Sequence, residues 1–303
     1  MIFYYSGSYQ QPLKIKYNIP QLFSQYNERG HIKKIVEYKK EHPEYTAKIM
    51  VDSGSYTAYT KGVVIDIDDY CDFINEIGDY IEVFVAVDEV PNPAAMDYTM
   101  AEKTWNNYLY MLKKINPKYR DKLIPVFHYG EDFKWLKNML EYTHEDGSHI
   151  DYIGLAISLE GTRKVRINWA NQCRKIILES SNPNVKTHAF GVGVKSVLDH
   201  IDVTSTDATS WVKRAAYGMI AINDKTIFIS KRHEELCNEK AFYLYSKGAQ
   251  EAIKEEIKKR GFDFDELQND GYKRAEFNII DTIQWVDNLN KEKDHITKVS
   301  LGW

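Results

Sequence analysis

A short apolar run that stops on a polar or glycine-rich segment recurs along this chain, and between successive runs lies a stretch with helical spacing. Lys48 to Val51 ends on Asp52-Ser53-Gly54-Ser55-Tyr56, and Ile81 to Val87 ends on Asp88-Glu89 and a Pro-Asn-Pro loop. Leu123 to Phe127 ends on His128-Tyr129-Gly130, and Tyr152 to Ile157 ends on Ser158. Val185 to Phe190 closes on Gly191-Val192-Gly193, and Asp202 to Thr206 runs into Asp207. Ile2 to Tyr5 opens the series and is followed by an irregular segment through Pro20. Runs of this length, bounded by turn formers, read as buried strands.

Helical patterns fill the gaps at residues 30–41, 66–78, 96–115, 131–142, 165–179 and 194–198. In 66–78 the residues Ile67, Tyr70, Phe73, Ile74 and Ile77 share one face, and Gly78 is a stop. Strands alternating with helices at spacings of roughly 30 to 40 residues make βαβ units with a parallel sheet. Seven or eight such units predict an α/β fold of the (β/α)8 TIM barrel type, whose active-site groups sit at the C-terminal strand ends. An open dinucleotide-binding sheet is disfavoured because no Gly-x-Gly-x-x-Gly follows the first strand. Thr226 to Ile229 is one further short strand, and 234–259 and 273–289 read as long amphipathic helices. The expected organisation is a catalytic barrel over 1–232 and a helical C-terminal extension over 233–303 packed on it.

Composition narrows the function classes. A net charge of −4 over 303 residues lacks the bulk signature of a nucleic-acid binder, although 22 tyrosines and 6 tryptophans offer stacking surface. Cys71, Cys173 and Cys237 lie far apart and form neither a disulfide framework nor a zinc spacing. No apolar run reaches membrane-spanning length and no basic-flanked leader opens the chain, so the cytoplasm is the expected location, with no membrane partner. His128, His188 and His200 are scattered over different elements without metal-ligand spacing, and Gly-x-Ser-x-Gly is absent. No metal or cofactor is called for.

Asp52, Asp88 and Asp207 would converge on one barrel mouth. Carboxylates so placed raise the pKa of at least one of their number, which lets an acid and a base coexist at neutral pH. A nucleophilic carboxylate paired with an acid/base carboxylate is the general solution for retaining cleavage at an anomeric carbon. Each aspartate has a plainer alternative as the cap of the adjoining turn or helix, Asp52 with Ser53 and Asp207 with Thr209 and Ser210.

These residues carry a resemblance. Asp52-Ser53-Gly54-Ser55-Tyr56 resembles the Asp-Ser-Gly-Gly-aromatic motif of the tRNA-guanine transglycosylase superfamily. Val87-Asp88-Glu89, Gly154-Leu155-Ala156-Ile157 and His188-Ala189-Phe190-Gly191-Val192-Gly193 are similar to its later strand ends in order, and Asp207 falls at the nucleophile. The resemblance covers about residues 47 to 218 in motifs rather than in continuous similarity. It implies a barrel enzyme that exchanges guanine in a nucleic acid for a free 7-deazaguanine base, with Asp207 attacking the sugar C1′ and Asp52 as general acid/base. It also implies that Asp88 reads the guanine N1 and N2 edge, that Gly154 and Leu155 bind the opposite edge through the backbone, and that Tyr56 and Phe190 sandwich the base. Gly191 belongs to the same motif, and His128-Tyr129-Gly130 stands where the family has Gln-Gly-Gly, which makes His128 a base-contacting candidate and leaves the bound base open.

The Cys-x-Cys-x-x-Cys zinc site of the tRNA enzymes is missing, as it is in the DNA-modifying branch, so DNA is favoured as acceptor and tRNA is the alternative. Lys213, Arg214, Lys225, Lys231 and Arg232 are candidates for a phosphate track. Two other readings stay open: an N-glycoside hydrolase on the same barrel, and a non-catalytic nucleic-acid-binding partner subunit.

Overall fold

The computed structural model describes residues 1–91, 100–157, 161–222, 225–231 and 240–300, with side chains as far as residue 293. The chain forms two compact units, one of Ile2–Ser8 with Lys14–Ala208, the other of Met1 and Tyr9–Leu13 with Thr209 onward.

The first unit is an α/β barrel. Its strands and helices run β1 (Ile2–Ser6), α1 (Gln11–Lys16, shared between the units), β2 (Gln21–Ser24), α2 (Gln25–Glu41), β3 (Ile49–Asp52), α3 (Ser55–Lys61), α4 (Ile67–Ile77) and β4 (Val83–Val85). They continue with α5 (Met100–Lys114), β5 (Leu123–Ile124), β6 (Val126–His128), α6 (Phe133–Glu141), β7 (Tyr152–Ala156), α7 (Arg163–Leu178), β8 (Lys186–Ala189), α8 (Lys195–Leu198) and β9 (Ser205–Ala208). All sheet neighbours pair in parallel, in the order β5-β4-β3-β2-β1-β9-β8-β7-β6.

The two ends of that order are the same stretch of chain. Pro125 has no N–H and splits one strand into β5, which pairs with β4, and β6, which pairs with β7. Ala86 N–H donates to the Ile124 carbonyl at 3.0 Å and Gly154 N–H to the Pro125 carbonyl at 2.8 Å, so the sheet closes on itself with eight strands.

Side chains two apart on a strand share a face. The inward face is filled by Tyr4, Leu22, Met50, Val83, Val85, Ile124, Val126 and Tyr152, with Ile2, Ala156 and Phe190 against them. The same alternation carried toward the C-terminal ends puts Ser6, Asp52, His128 and Asp207 inward in the topmost layer.

Three sequence expectations are corrected. The segment expected to be irregular through Pro20 contains α1 at Gln11–Lys16, and Gln21–Ser24, where the sequence pattern marks no element, forms β2 between β1 and β3; just two residues of β2, Leu22 and Phe23, are apolar. Asp207 lies inside β9, opposite Tyr4, rather than after a strand over 202–206. Helix α2 starts at Gln25, not Gly30, with a kink at Glu28. There the Glu28 carboxylate accepts the Ser8 N–H at 2.6 Å and the Ser24 N–H at 2.9 Å.

The second unit contains α9 (Ser210–Ala216), β10 (Met219–Ile222), β11 (Lys225–Phe228), α10 (Lys247–Lys259), α11 (Phe264–Asn269) and α12 (Gly271–Ser300). The short strand read at Thr226 pairs antiparallel with β10 instead of joining the barrel. Ile220, Ile222, Ile227, Ile257, Leu267 and Phe277 form its core. The buried Asn278 ties it together, accepting the Ala221 N–H at 2.9 Å and donating to the Trp211 carbonyl at 3.0 Å. The helix expected from residue 234 begins, among the described residues, at Lys247, where Ser246 caps it through the Ala249 N–H. No helix among the described residues is long and apolar enough to cross a membrane.

Candidate active site

The segment after β3 is shaped by one glycine. Gly54 sits at φ +84°, and a Cβ there would lie 2.4 Å from Tyr26 Cβ and 2.7 Å from Ser24 Oγ, so no side chain fits. The Gly54 N–H donates to Asp52 Oδ2 at 2.9 Å. Asp52 therefore does cap its own turn, as the plainer alternative holds, and it also faces the barrel mouth. The flanking serines reach across to the end of β4: Ser53 Oγ donates to Asp88 Oδ1 at 3.4 Å, and Ser55 Oγ accepts the Asp88 N–H at 3.1 Å.

Among the described residues, Asp52 has no cationic hydrogen-bond partner. Burial, the charge of Asp88 and then those of Asp207 and Glu28 push its pKa from 3.8 up to about 7, against the opposing pull of the Gly54 N–H. It is a carboxyl that gives and takes a proton near neutrality.

Asp88 is held differently. Its Oδ2 lies 2.8 Å from His128 Nε2, and the other ring nitrogen of His128 lies 3.0 Å from Glu131 Oε1. Glu131 Oε2 also accepts the His128 N–H at 2.9 Å, which folds the Tyr129-Gly130 turn back over the histidine. Burial of the ring favours its neutral form, but the hydrogen bonds and charges of Asp88 and Glu131 outweigh this and raise its pKa to about 9. His128 is an imidazolium between two carboxylates, with side chains 7%, 12% and 1% exposed for His128, Asp88 and Glu131.

Asp207 sits on the far side of β1 and β2 from Asp52. Its Oδ2 accepts Ser6 Oγ–H at 2.6 Å, and its Oδ1 accepts the Gly191 N–H at 2.7 Å and lies 3.3 Å from His188 Nε2. Burial alone would raise its pKa; His188, Ser6 and the Gly191 N–H together hold it below the ordinary value. Gly191 donates from a left-handed backbone, φ +68°. The carboxylate of Asp207 is thus bound by three donors within the barrel and is not used to cap α9.

Asp52, Asp88 and Asp207 are brought into one electrostatically coupled mouth, with His128 on Asp88 and Gly191 on Asp207. Gly154 and Phe190 also meet, since a Cβ on Gly154 would lie 2.4 Å from Phe190 Cε2. The ring thereby takes the space a side chain on β7 would fill. Leu155 points outward from the barrel, and its carbonyl accepts the Phe190 N–H at 3.1 Å within the sheet. Tyr56 lies in the first turn of α3 and is 63% exposed. Ser158 and Arg232 lie outside the described residues, as does Cys237, while Lys213, Lys225 and Lys231 are exposed residues of the second unit. Cys71 and Cys173 are buried.

Glu131, Ser6, Ser205 and Tyr152 were not singled out from the sequence. Glu131 had a local signal, an acid three residues after a strand-end histidine. Ser6 and Ser205 had only the alternation of their strands. Among the described residues no group of three or more His, Cys, Asp or Glu is arranged to hold a metal ion. In comparisons with known proteins, the chain matches no family model and no curated protein.

Proposed function

We propose that this barrel is a base-exchanging glycosyltransferase that replaces guanine in a nucleic acid by a 7-deazaguanine through a covalent aspartyl-sugar intermediate. The observation that carries the reading is the divergence of two carboxyls at one mouth: Asp207 is held ionised by three donors, and Asp52 is held protonatable near pH 7. A retaining exchange needs that division, a nucleophile that is always charged and an acid/base that cycles.

Asp207 attacks C1′ as Asp52 delivers a proton to the departing base. Asp52 then takes the N9 proton of the incoming base, whose nitrogen displaces Asp207. Asp88, kept in place by His128, accepts hydrogen bonds from the N–H edge of a purine-like base, since an ionised carboxylate is an acceptor only. The motif resemblance supports this class, and the absence from the sequence of a cysteine cluster after Asp207 favours DNA over tRNA as acceptor.

Incubation with duplex DNA, tRNA and labelled 7-deazaguanine bases, followed by nucleoside analysis, tests the reading. Label is expected in a nucleic acid, with a denaturation-resistant protein adduct when the incoming base is withheld. Asp207→Asn is expected to lower exchange by on the order of 10⁴-fold or more while retaining the fold. Release of free guanine with no incorporation would assign hydrolysis instead.

A further inference from the structure

Under Asp207 runs a buried line of polar side chains, of which the exchange chemistry above uses only the first, His188. Tyr152 Oη hydrogen-bonds Ser205 Oγ, Ser205 Oγ lies 2.5 Å from His188 Nδ1, and His188 Nε2 lies 3.3 Å from Asp207 Oδ1. His188 is fully buried. Its ring is walled edge-on by Phe190 at 4.5 Å and Tyr4 at 5.9 Å between centroids.

Proton counting gives the line a direction at one end. An ionised carboxylate can only accept, so His188 Nε2 must carry its hydrogen toward Asp207. With a neutral ring, Nδ1 accepts from Ser205, whose oxygen accepts from Tyr152; with a charged ring the outer two bonds reverse. Asp207 receives a donor in both cases. Burial raises the Tyr152 hydroxyl to about 12 against the pull of Ser205, so the far end stays protonated at any working pH.

The two oxygens of Asp207 are unequally occupied. A carboxylate has about four lone-pair positions, two on each oxygen. Oδ1 uses both, on His188 and Gly191 N–H, and Oδ2 uses one, on Ser6. Among the described residues, Oδ2 is left with the free lone pair.

We infer that His188, braced by Ser205 and Tyr152, is the positioning residue of Asp207, presenting Oδ2 to the sugar and stabilising the carboxylate when the glycosyl ester breaks. The inference rests on Asp207 being the nucleophile of the proposed exchange. In the first step an Oδ2 lone pair forms the bond to C1′, and the C1′–N9 electrons leave with the base, which gains the Asp52 proton. In the second, the N9 lone pair of the incoming base forms the new bond and the C1′–Oδ2 electrons return to Asp207. Charge vanishes from the carboxylate in the first step and reappears in the second, so a donor on Oδ1 favours release of the ester. Losing it leaves Asp207 a more basic nucleophile and a poorer leaving group, and the covalent adduct persists.

Asp207 is faced by Ser6 from β1, by His188 and Gly191 from β8 and the loop after it, and by the charge of Asp52 from β3. His188 is faced by Tyr4 from β1, Tyr152 from β7, and Ser205 and Asp207 from β9. The test compares wild type, His188→Leu, His188→Gln and Ser205→Ala in the full chain.

The Asp207 carboxyl, assigned by its loss in Asp207→Asn, is followed by ¹³C NMR through an acid titration without nucleic acid. Its midpoint is expected to rise by about one pH unit or more in His188→Leu, to rise less in Ser205→Ala, and to return toward wild type in His188→Gln, whose amide restores a donor. In rapid-quench exchange on DNA and tRNA, adduct decay after addition of the base is expected to slow roughly tenfold in His188→Leu, with adduct formation retained and His188→Gln largely rescued.

An unmoved carboxyl titration in His188→Leu, or adduct decay at the wild-type rate, overturns the inference. Should His188→Leu fail to fold, an unmoved titration in Ser205→Ala overturns it equally. A wild-type chain that forms no adduct on any nucleic acid overturns the glycosyl reading instead, while the titration still decides whether His188 governs Asp207.

Discussion

Two imidazoles lean on aspartates at this barrel mouth, and the group behind each ring differs. Behind His128 is a second carboxylate, Glu131, so the ring is charged and Asp88 is neutralised by a fixed cation. Behind His188 is the hydroxyl of Ser205, and Asp207 keeps its charge while gaining a donor. Between them lies Asp52, with neither imidazole and with like charge nearby, and its pKa drifts upward to about 7. The same residue pair thus yields an ion cluster on one wall and an ionised carboxylate on the other. Local chemistry, not residue type, assigns the roles.

The comparison breaks if both imidazoles prove equally structural. His128→Ala leaves two buried carboxylates without their cation and is expected to destabilise the protein by about 3–5 kcal/mol in chemical denaturation. His188→Ala leaves Asp207 with Ser6 and Gly191, and is expected to cost about 1–3 kcal/mol. Equal losses would erase the distinction.

A finer cut uses pH. The folded pKa of His128 is raised from 6.5 to about 9, so the native state binds its proton more tightly than the unfolded chain. That stabilisation is complete below about pH 6.5 and is lost as pH rises through about 9. Thermal melting between pH 6 and 10 should show the fall, and Glu131→Gln should move it to lower pH by removing one of the two anions.

The remaining contrast concerns Asp52, whose folded pKa is also raised but which is an acid. Here the native state holds the proton too tightly, so stability declines as pH rises from about 4 to about 7. Asp52→Asn keeps an acceptor for the Gly54 N–H and should abolish that decline. The variant should match wild type at pH 4 and melt a few degrees higher at pH 8. A wild type whose stability is flat over this range would remove the contrast between Asp52 and Asp207.

The parallel-barrel pattern was legible because most strands, such as Ile81 to Val87, are long apolar runs that end on polar residues, the pattern of strands buried on both faces. Strand β2 was not, since Gln21 and Ser24 dilute its two apolar residues and only the ladders to β1 and β3 make it a strand. Asp52 and Asp88 stood out as strand ends. The partners that tune them did not, because Ser6 meets Asp207 from 201 positions away through the β1–β9 register, and that register is absent from local spacing. His188 and His128 looked alike as solitary strand histidines until their neighbours across the sheet were known.

Pro125 has a consequence beyond the hydrogen bond it forgoes. Because it makes the chain change partners, β4 and β6 belong to opposite edges of the ribbon, and the backbone bond from Ala86 to Ile124 lies below the rim. At the rim the two edges are joined by Asp88 and His128. The clasp of the cylinder is therefore held by a proton: the ring that bridges the two edges owes its charge to Asp88 and Glu131, and its loss near pH 9 takes the cation out of the seam.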